Sequence, residues 1–104
     1  MANTVLVVDD EIIIRDLLNV FLPTKGLKVI LAANGEEALE LAKKSVPKVI
    51  LLDMKMPGID GLETYKRIIS KYPQQIAIIA SGFSETERVR EAQRLGAGRY
   101  VKKP

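Results

Sequence analysis

Apolar and polar positions along this chain keep two alternating rhythms. Thr4–Val8, Lys28–Ala32, Lys48–Asp53, Ile76–Ala80 and Arg99–Lys102 are short, mostly apolar runs that read as strands. Between them apolar residues recur at helical spacing: Ile14, Leu17, Leu18 and Phe21; Ala38, Leu39, Leu41 and Ala42; Leu62, Tyr65, Ile68 and Ile69; Val89, Ala92 and Leu95. Val49–Leu52 and Ile76–Ala80 show no polar alternation, the habit of strands buried on both faces of a parallel sheet. Strand and helix alternate throughout, which predicts an α/β fold with a doubly wound, parallel, five-stranded sheet and helices on both faces.

The helix boundaries carry their own signals. Asp10 or Glu11 opens the first helix, and Pro23 and Gly26 end it. Asn34 with Glu37, Asp60 with Glu63 and Ser84 with Glu87 have the spacing of capping boxes. Pro47, Tyr72-Pro73 and Leu95-Gly96 close the next three helices. The fourth helix has the thinnest apolar stripe, which predicts the most weakly docked element.

Composition narrows the chemistry. At 104 residues there is room for one domain. Cysteine and histidine are absent, which removes disulfides, thiolate sites and the usual general base and zinc ligand. The net charge of +3 is mild, and the loose group Arg88, Arg90, Arg94 and Arg99 reads as a solvated face, not a nucleic-acid stripe. Met-Ala-Asn-Thr is not a signal peptide, and no apolar run reaches membrane-spanning length. The expected location is the cytoplasm, with no membrane contact.

The carboxylates stand at strand ends. Thr4–Val8 runs into Asp9-Asp10-Glu11, and Val49–Leu52 runs into Asp53. In a doubly wound sheet the first and third strands are neighbours at the switch point, where ligands bind outside the carboxyl edge. Asp9, Asp10 and Asp53 repel one another unless a cation joins them, and oxygen ligands alone select Mg²⁺ or Mn²⁺. A carboxylate beside such an ion is also a nucleophile toward phosphorus. The fourth strand leads into Ser81-Gly82 and the fifth into Lys102-Lys103-Pro104, so a hydroxyl and a cation join the same edge.

Val7-Val8-Asp9-Asp10-Glu11, Leu52 through Gly61, Ala80-Ser81-Gly82, Gly96-Ala97 and Tyr100 through Pro104 lie in the order found in one family. The chain resembles the receiver domain of two-component response regulators. The resemblance implies a flavodoxin-like sheet of order 2-1-3-4-5 and Mg²⁺ as cofactor. It implies that Asp53 is the phosphoacceptor, with Asp10 a direct metal ligand and Asp9 one acting through water. Lys55 falls where the family uses a backbone carbonyl as a metal ligand. Ser81 matches the hydroxyl that follows the phosphoryl group, Tyr100 the aromatic switch, and Lys103 the lysine before a cis proline. The loop around Asp53, with Lys55, also resembles the single-domain receivers of sporulation phosphorelays.

The function implied is a signalling switch. A sensor histidine kinase or histidine phosphotransfer protein supplies the phosphoryl group, and the surface around the fourth helix and fifth strand turns toward a downstream protein target. A phosphatase working through an aspartyl phosphate usually places a second Asp two residues after the nucleophile, where this chain has Lys55. An inert, docking-only relative would not need the acids, Ser81 and Lys103 together. Right-handed crossovers put the first helix on one sheet face and the other three on the opposite one. The family covers the remaining apolar face with a fifth helix after the Lys-Pro pair. Residues 1–104 are therefore expected to be a C-terminally truncated receiver, with an exposed apolar patch that invites dimerisation or segment exchange.

Overall fold

The structure, a computed structural model, describes residues 3–81, 86–97 and 99–102, the side chains of Ser81, Thr86 and residues 99–102 excepted. Five strands, β1 (Thr4–Val8), β2 (Lys28–Ala32), β3 (Val49–Asp53), β4 (Ile76–Ser81) and β5 (Arg99–Lys102), form one sheet of order β2-β1-β3-β4-β5. Every neighbouring pair is parallel. The helices are α1 (Ile12–Phe21), α2 (Gly35–Ser45), α3 (Gly61–Lys71) and α4 (Thr86–Arg94). A 3-10 turn, Leu22–Lys25, follows α1 and ends at Gly26 in the left-handed region. No helix among the described residues is long and apolar enough to cross a membrane.

Two of the three predicted caps are visible. The Asn34 carboxamide oxygen accepts the Glu37 amide at 2.8 Å, and the Glu37 carboxylate reaches back to the Ala33 amide at 2.9 Å. The Asp60 carboxylate accepts the Glu63 amide at 2.9 Å, but the Glu63 side chain turns to Arg67 instead of completing the box. Ser84 lies outside the described residues.

One sheet face holds the core. Leu6, Val8, Ala32, Ile50, Leu52, Ala77 and Ile79 pack there against Ala38, Ala42, Leu62, Tyr65, Ile68, Val89 and Ala92 of α2, α3 and α4. The opposite face alternates with it: Val49, Leu51, Ile78 and Ala80 are only half-buried. On the same face Val5 and Val7 of β1 are buried. The docking order differs from expectation. Helix α4 buries Val89 and Ala92, whereas α1 buries no residue at all, and Leu17 and Phe21 lie outward. The reason is geometric: helical spacing marks an apolar stripe without saying what it faces, and Ile14, Leu18 and Leu22 are the half-buried residues of this segment.

Candidate functional site

The carboxyl edge of the sheet is built from the register outward. Val8 pairs with Leu52, so Asp9 and Asp53 emerge side by side from adjacent strands. Both are buried, at 3% exposure each, although both are carboxylates. Asp10 is exposed beside them. One carboxylate oxygen from each of Asp9, Asp10 and Asp53 lies within 4.8 Å of the other two.

Backbone groups hold this cluster in shape. The Glu11 amide donates to Asp9 Oδ1 at 2.9 Å, and the Lys55 amide donates to Asp53 Oδ1 at 3.4 Å. The Arg15 guanidinium donates to the Asp9 carbonyl at 2.7 Å, which ties the first turn of α1 to the end of β1. Past Asp53, the Met54 amide donates to the Ala80 carbonyl at 3.2 Å, so the end of β4 stays beside the loop. The chain then turns through Pro57 and Gly58, where Gly58 has φ of +79°, and returns to Asp53 at Gly61. The Gly61 amide donates to the Met54 carbonyl at 2.9 Å.

Gly61 is needed for proximity, not for turn conformation. A Cβ there would stand 2.1 Å from the Asp53 carbonyl oxygen and 2.7 Å from the Met54 Cα. Both are backbone atoms that cannot step aside, so only glycine lets the start of α3 press against the acceptor strand. Arg15 and Arg88, which pairs with Asp60, escape a reading by motif. An arginine six residues after Asp9 has no special spacing, and the Arg88–Asp60 pair exists only through tertiary contact.

The remaining predicted residues are placed as follows. Lys55 is exposed in the loop after β3. Ser81 closes β4 in register with Lys102, and Tyr100 on β5 pairs with Ile79. Lys103, Gly82, Phe83 and the Lys103–Pro104 bond lie outside the described residues. The donor set suits a hard divalent cation: three carboxylates converge, and the chain offers no imidazole or thiolate to compete.

Comparison with known proteins shows the family. The sporulation initiation phosphotransferase F of Bacillus subtilis (strain 168) is 38% identical over 104 residues, covering 100% of this chain and 84% of that protein. A cyclic di-GMP phosphodiesterase of Thermotoga maritima is 36% identical over 101 residues, 97% of this chain but 27% of that longer protein. A CheY-like response regulator receiver domain protein from Methanospirillum hungatei JF-1 superposes with a TM-score of 0.94 at 27% identity, covering 100% of this chain and 83% of that one. The sequence matches the response regulator receiver domain over residues 5–104. The chain belongs to the response regulator receiver domain family.

Proposed function

We propose that this receiver domain takes a phosphoryl group onto Asp53 from the phosphohistidine of a sensor kinase or phosphotransfer protein. The observation that carries the reading is the buried Asp53 carboxylate at the end of β3, with carboxylate oxygens of Asp9 and Asp10 within 4.8 Å. In the transfer an Asp53 oxygen attacks phosphorus, and the bond from phosphorus to the imidazole nitrogen breaks. Its electron pair returns to that nitrogen, leaving an acyl phosphate on Asp53.

Asp9, Asp10, Asp53 and the Lys55 carbonyl are the groups that would hold Mg²⁺. When bound, Mg²⁺ offsets the carboxylate repulsion and the negative charge on the phosphoryl oxygens. The chain's own contribution is positioning. The Glu11 and Lys55 amides and the Gly61 contact fix where Asp9 and Asp53 point before a donor arrives. Ser81 and Lys103, at the ends of the next two strands, are the proposed hydroxyl and cation for the transferred group. Tyr100, two strands from Asp53, is the proposed surface reporter, and α4 with β5 is the surface whose population shifts. The domain catalyses only its own phosphorylation and dephosphorylation in this reading. The likeness to a sporulation phosphotransferase supports a phosphorelay role with output through protein contacts.

The test uses the purified chain, Mg²⁺ and acetyl phosphate. Intact mass should rise by one phosphoryl group in wild type and not in Asp53→Asn. Full labelling of Asp53→Asn overturns the assignment. Ser81→Ala should still accept phosphate while the amide shifts of Thr86–Arg94 respond less. Equal responses in the two proteins overturn the coupling through Ser81.

A further inference from the structure

The end of the molecule away from the acids carries a second surface. Between the C-terminal halves of α2 and α3 lies a hollow of about 360 Å³, with Leu39, Ala42, Ile68 and Tyr72 as its apolar floor. It adjoins a second hollow of about 520 Å³ at Lys71 and Tyr72, lined also by Val46 and Ile76. The two hollows share Lys71 and Tyr72 and are treated together as a trough. Its lining is basic: Lys43, Arg67, Lys71 and Lys48 against a single acid, Glu40. Arg67 is paired with Glu63, but among the described residues none of Lys43, Lys48 and Lys71 is in an ion pair.

Two residues of this trough are badly placed for the isolated fold. Val46 is 71% exposed and sits at φ of +45°, the one non-glycine residue with positive φ among those described. A β-branched residue in the left-handed region is strained, and glycine is the usual occupant of such a helix end. Ile76 is 54% exposed beside it. The conformation ends α2, with the Val46 amide on the Ala42 carbonyl at 3.1 Å, a job glycine would do without strain. The valine side chain instead presents an exposed apolar knob beside Lys48 and Lys71. A strained residue kept where glycine would serve is a candidate for function.

We propose that this trough docks an acidic, amphipathic segment of a partner protein. Charge complementarity decides the partner's sign: the lining carries three lysines without ion-pair partners, while the chain's own acids Asp9, Asp10, Glu11 and Asp53 gather at the other end of the sheet. The floor decides its other half: Leu39, Tyr72, Val46 and Ile76 suit leucine or phenylalanine anchors on one face of a helix. The surface is distinct from the α4 and β5 face, so docking and phosphorylation can proceed on one molecule at once.

The probe is a synthetic amphipathic helical peptide with leucines on one face and glutamates on the other, titrated into the full chain and followed by amide NMR shifts. Shifts should centre on Leu39, Lys43, Val46, Lys71, Tyr72 and Ile76, and binding should weaken as salt rises. Lys43→Glu with Lys71→Glu should weaken it about tenfold or more. Val46→Gly separates binding from folding: it should raise the thermal midpoint by relieving strain and still weaken the peptide. The same peptide with lysines in place of glutamates should not bind. Equal binding of both peptides, shifts elsewhere, or an unaffected Val46→Gly each overturn the proposal. So does stronger, Lys43- and Lys71-dependent binding of phosphatidylglycerol vesicles, or trough shifts that arise from dilution of the chain alone.

Discussion

Arg88 of α4 forms an ion pair with Asp60, the residue that caps α3 and ends the loop that begins at Asp53. One Asp60 oxygen accepts the Glu63 amide, and the other accepts the Arg88 guanidinium. A helix on the proposed switching surface is thereby fastened to the loop of the proposed acceptor. Substitutions at Asp60 can separate the two jobs. Asp60→Asn keeps a side-chain oxygen for the cap and loses the charge. Asp60→Ala loses both. The pair is partly exposed, so Asp60→Asn and Arg88→Ala should each cost under about 1 kcal/mol. Asp60→Ala should cost about 1 kcal/mol more than Asp60→Asn. Urea unfolding of the three variants checks the order. Hydrogen exchange of the α4 amides should quicken in Arg88→Ala, and unchanged exchange would show that the pair does not restrain the helix.

Gly61→Ala should be far more damaging than its single methyl group suggests. The added Cβ meets the Asp53 carbonyl oxygen and the Met54 Cα, both backbone. The start of α3 or the end of β3 must move. A loss of several kcal/mol, in the range of severe overpacking, is expected together with slowed phosphorylation. Gly26 is the control, with φ of +80° and no atom within 4 Å of a built Cβ. Gly26→Ala should cost about 1 kcal/mol and leave phosphorylation unchanged.

These contrasts show how far the sequence could be read. Strand and helix positions were legible because apolar runs and helical stripes differ in period, and the sheet order followed from the family pattern. The acid cluster was legible because Asp9-Asp10 and Asp53 each end an apolar run. Exposure of α1 was not, since Leu17 and Phe21 have the spacing of buried residues. Gly61's reason was not either, because a close approach is visible only once α3 is laid against β3. The Arg88–Asp60 pair joins residues 28 apart in sequence and leaves no periodic mark.

Magnesium should stabilise the chain through Asp10. Without the ion, Asp10 is an exposed charge beside two buried carboxylates. Asp10→Ala removes like-charge repulsion, so its thermal midpoint in chelator should rise above that of wild type. Wild type should gain stability as Mg²⁺ is added, by mass action on the folded state. Asp10→Ala should gain much less. An equal Mg²⁺-dependent rise in both proteins would remove Asp10 from the set of ligands.

Tyr65 gives the fold an alkaline limit. Burial raises the pKa of its phenol above the usual 10.0, and its hydroxyl lies close to Gly96, just past the end of α4. The unfolded chain therefore releases this proton at lower pH than the folded one. Stability from this group is complete below pH 10 and is lost as pH climbs from there through the raised folded value. The slope is at most about 1.4 kcal/mol per pH unit for one proton. Lysines titrate in the same range, so the comparison is with Tyr65→Phe. Wild type should lose stability faster than Tyr65→Phe above pH 10, and parallel curves would refute the role of burial.

The half-covered sheet face should govern association of the 104-residue chain. On α1, Ile12, Ile13, Leu17, Val20 and Phe21 are all half or more exposed, and Ile13 reaches 76%. On the strands Val49, Leu51, Ile78 and Ala80 are only half-buried. Monomeric proteins rarely present apolar patches beyond about 300–600 Å² to water. Sequestering these residues against a second copy is favourable at roughly 25 cal/mol for each Å² removed from water. Sedimentation should therefore show concentration-dependent association. The double variant Ile13→Lys with Val20→Lys should be monomeric, because both side chains point away from the core and a charge there opposes contact. Its unfolding free energy should stay within about 0.5 kcal/mol of wild type at low concentration, as for other surface changes. Association that persists in the double variant, or a monomeric wild type, would place the driving force elsewhere.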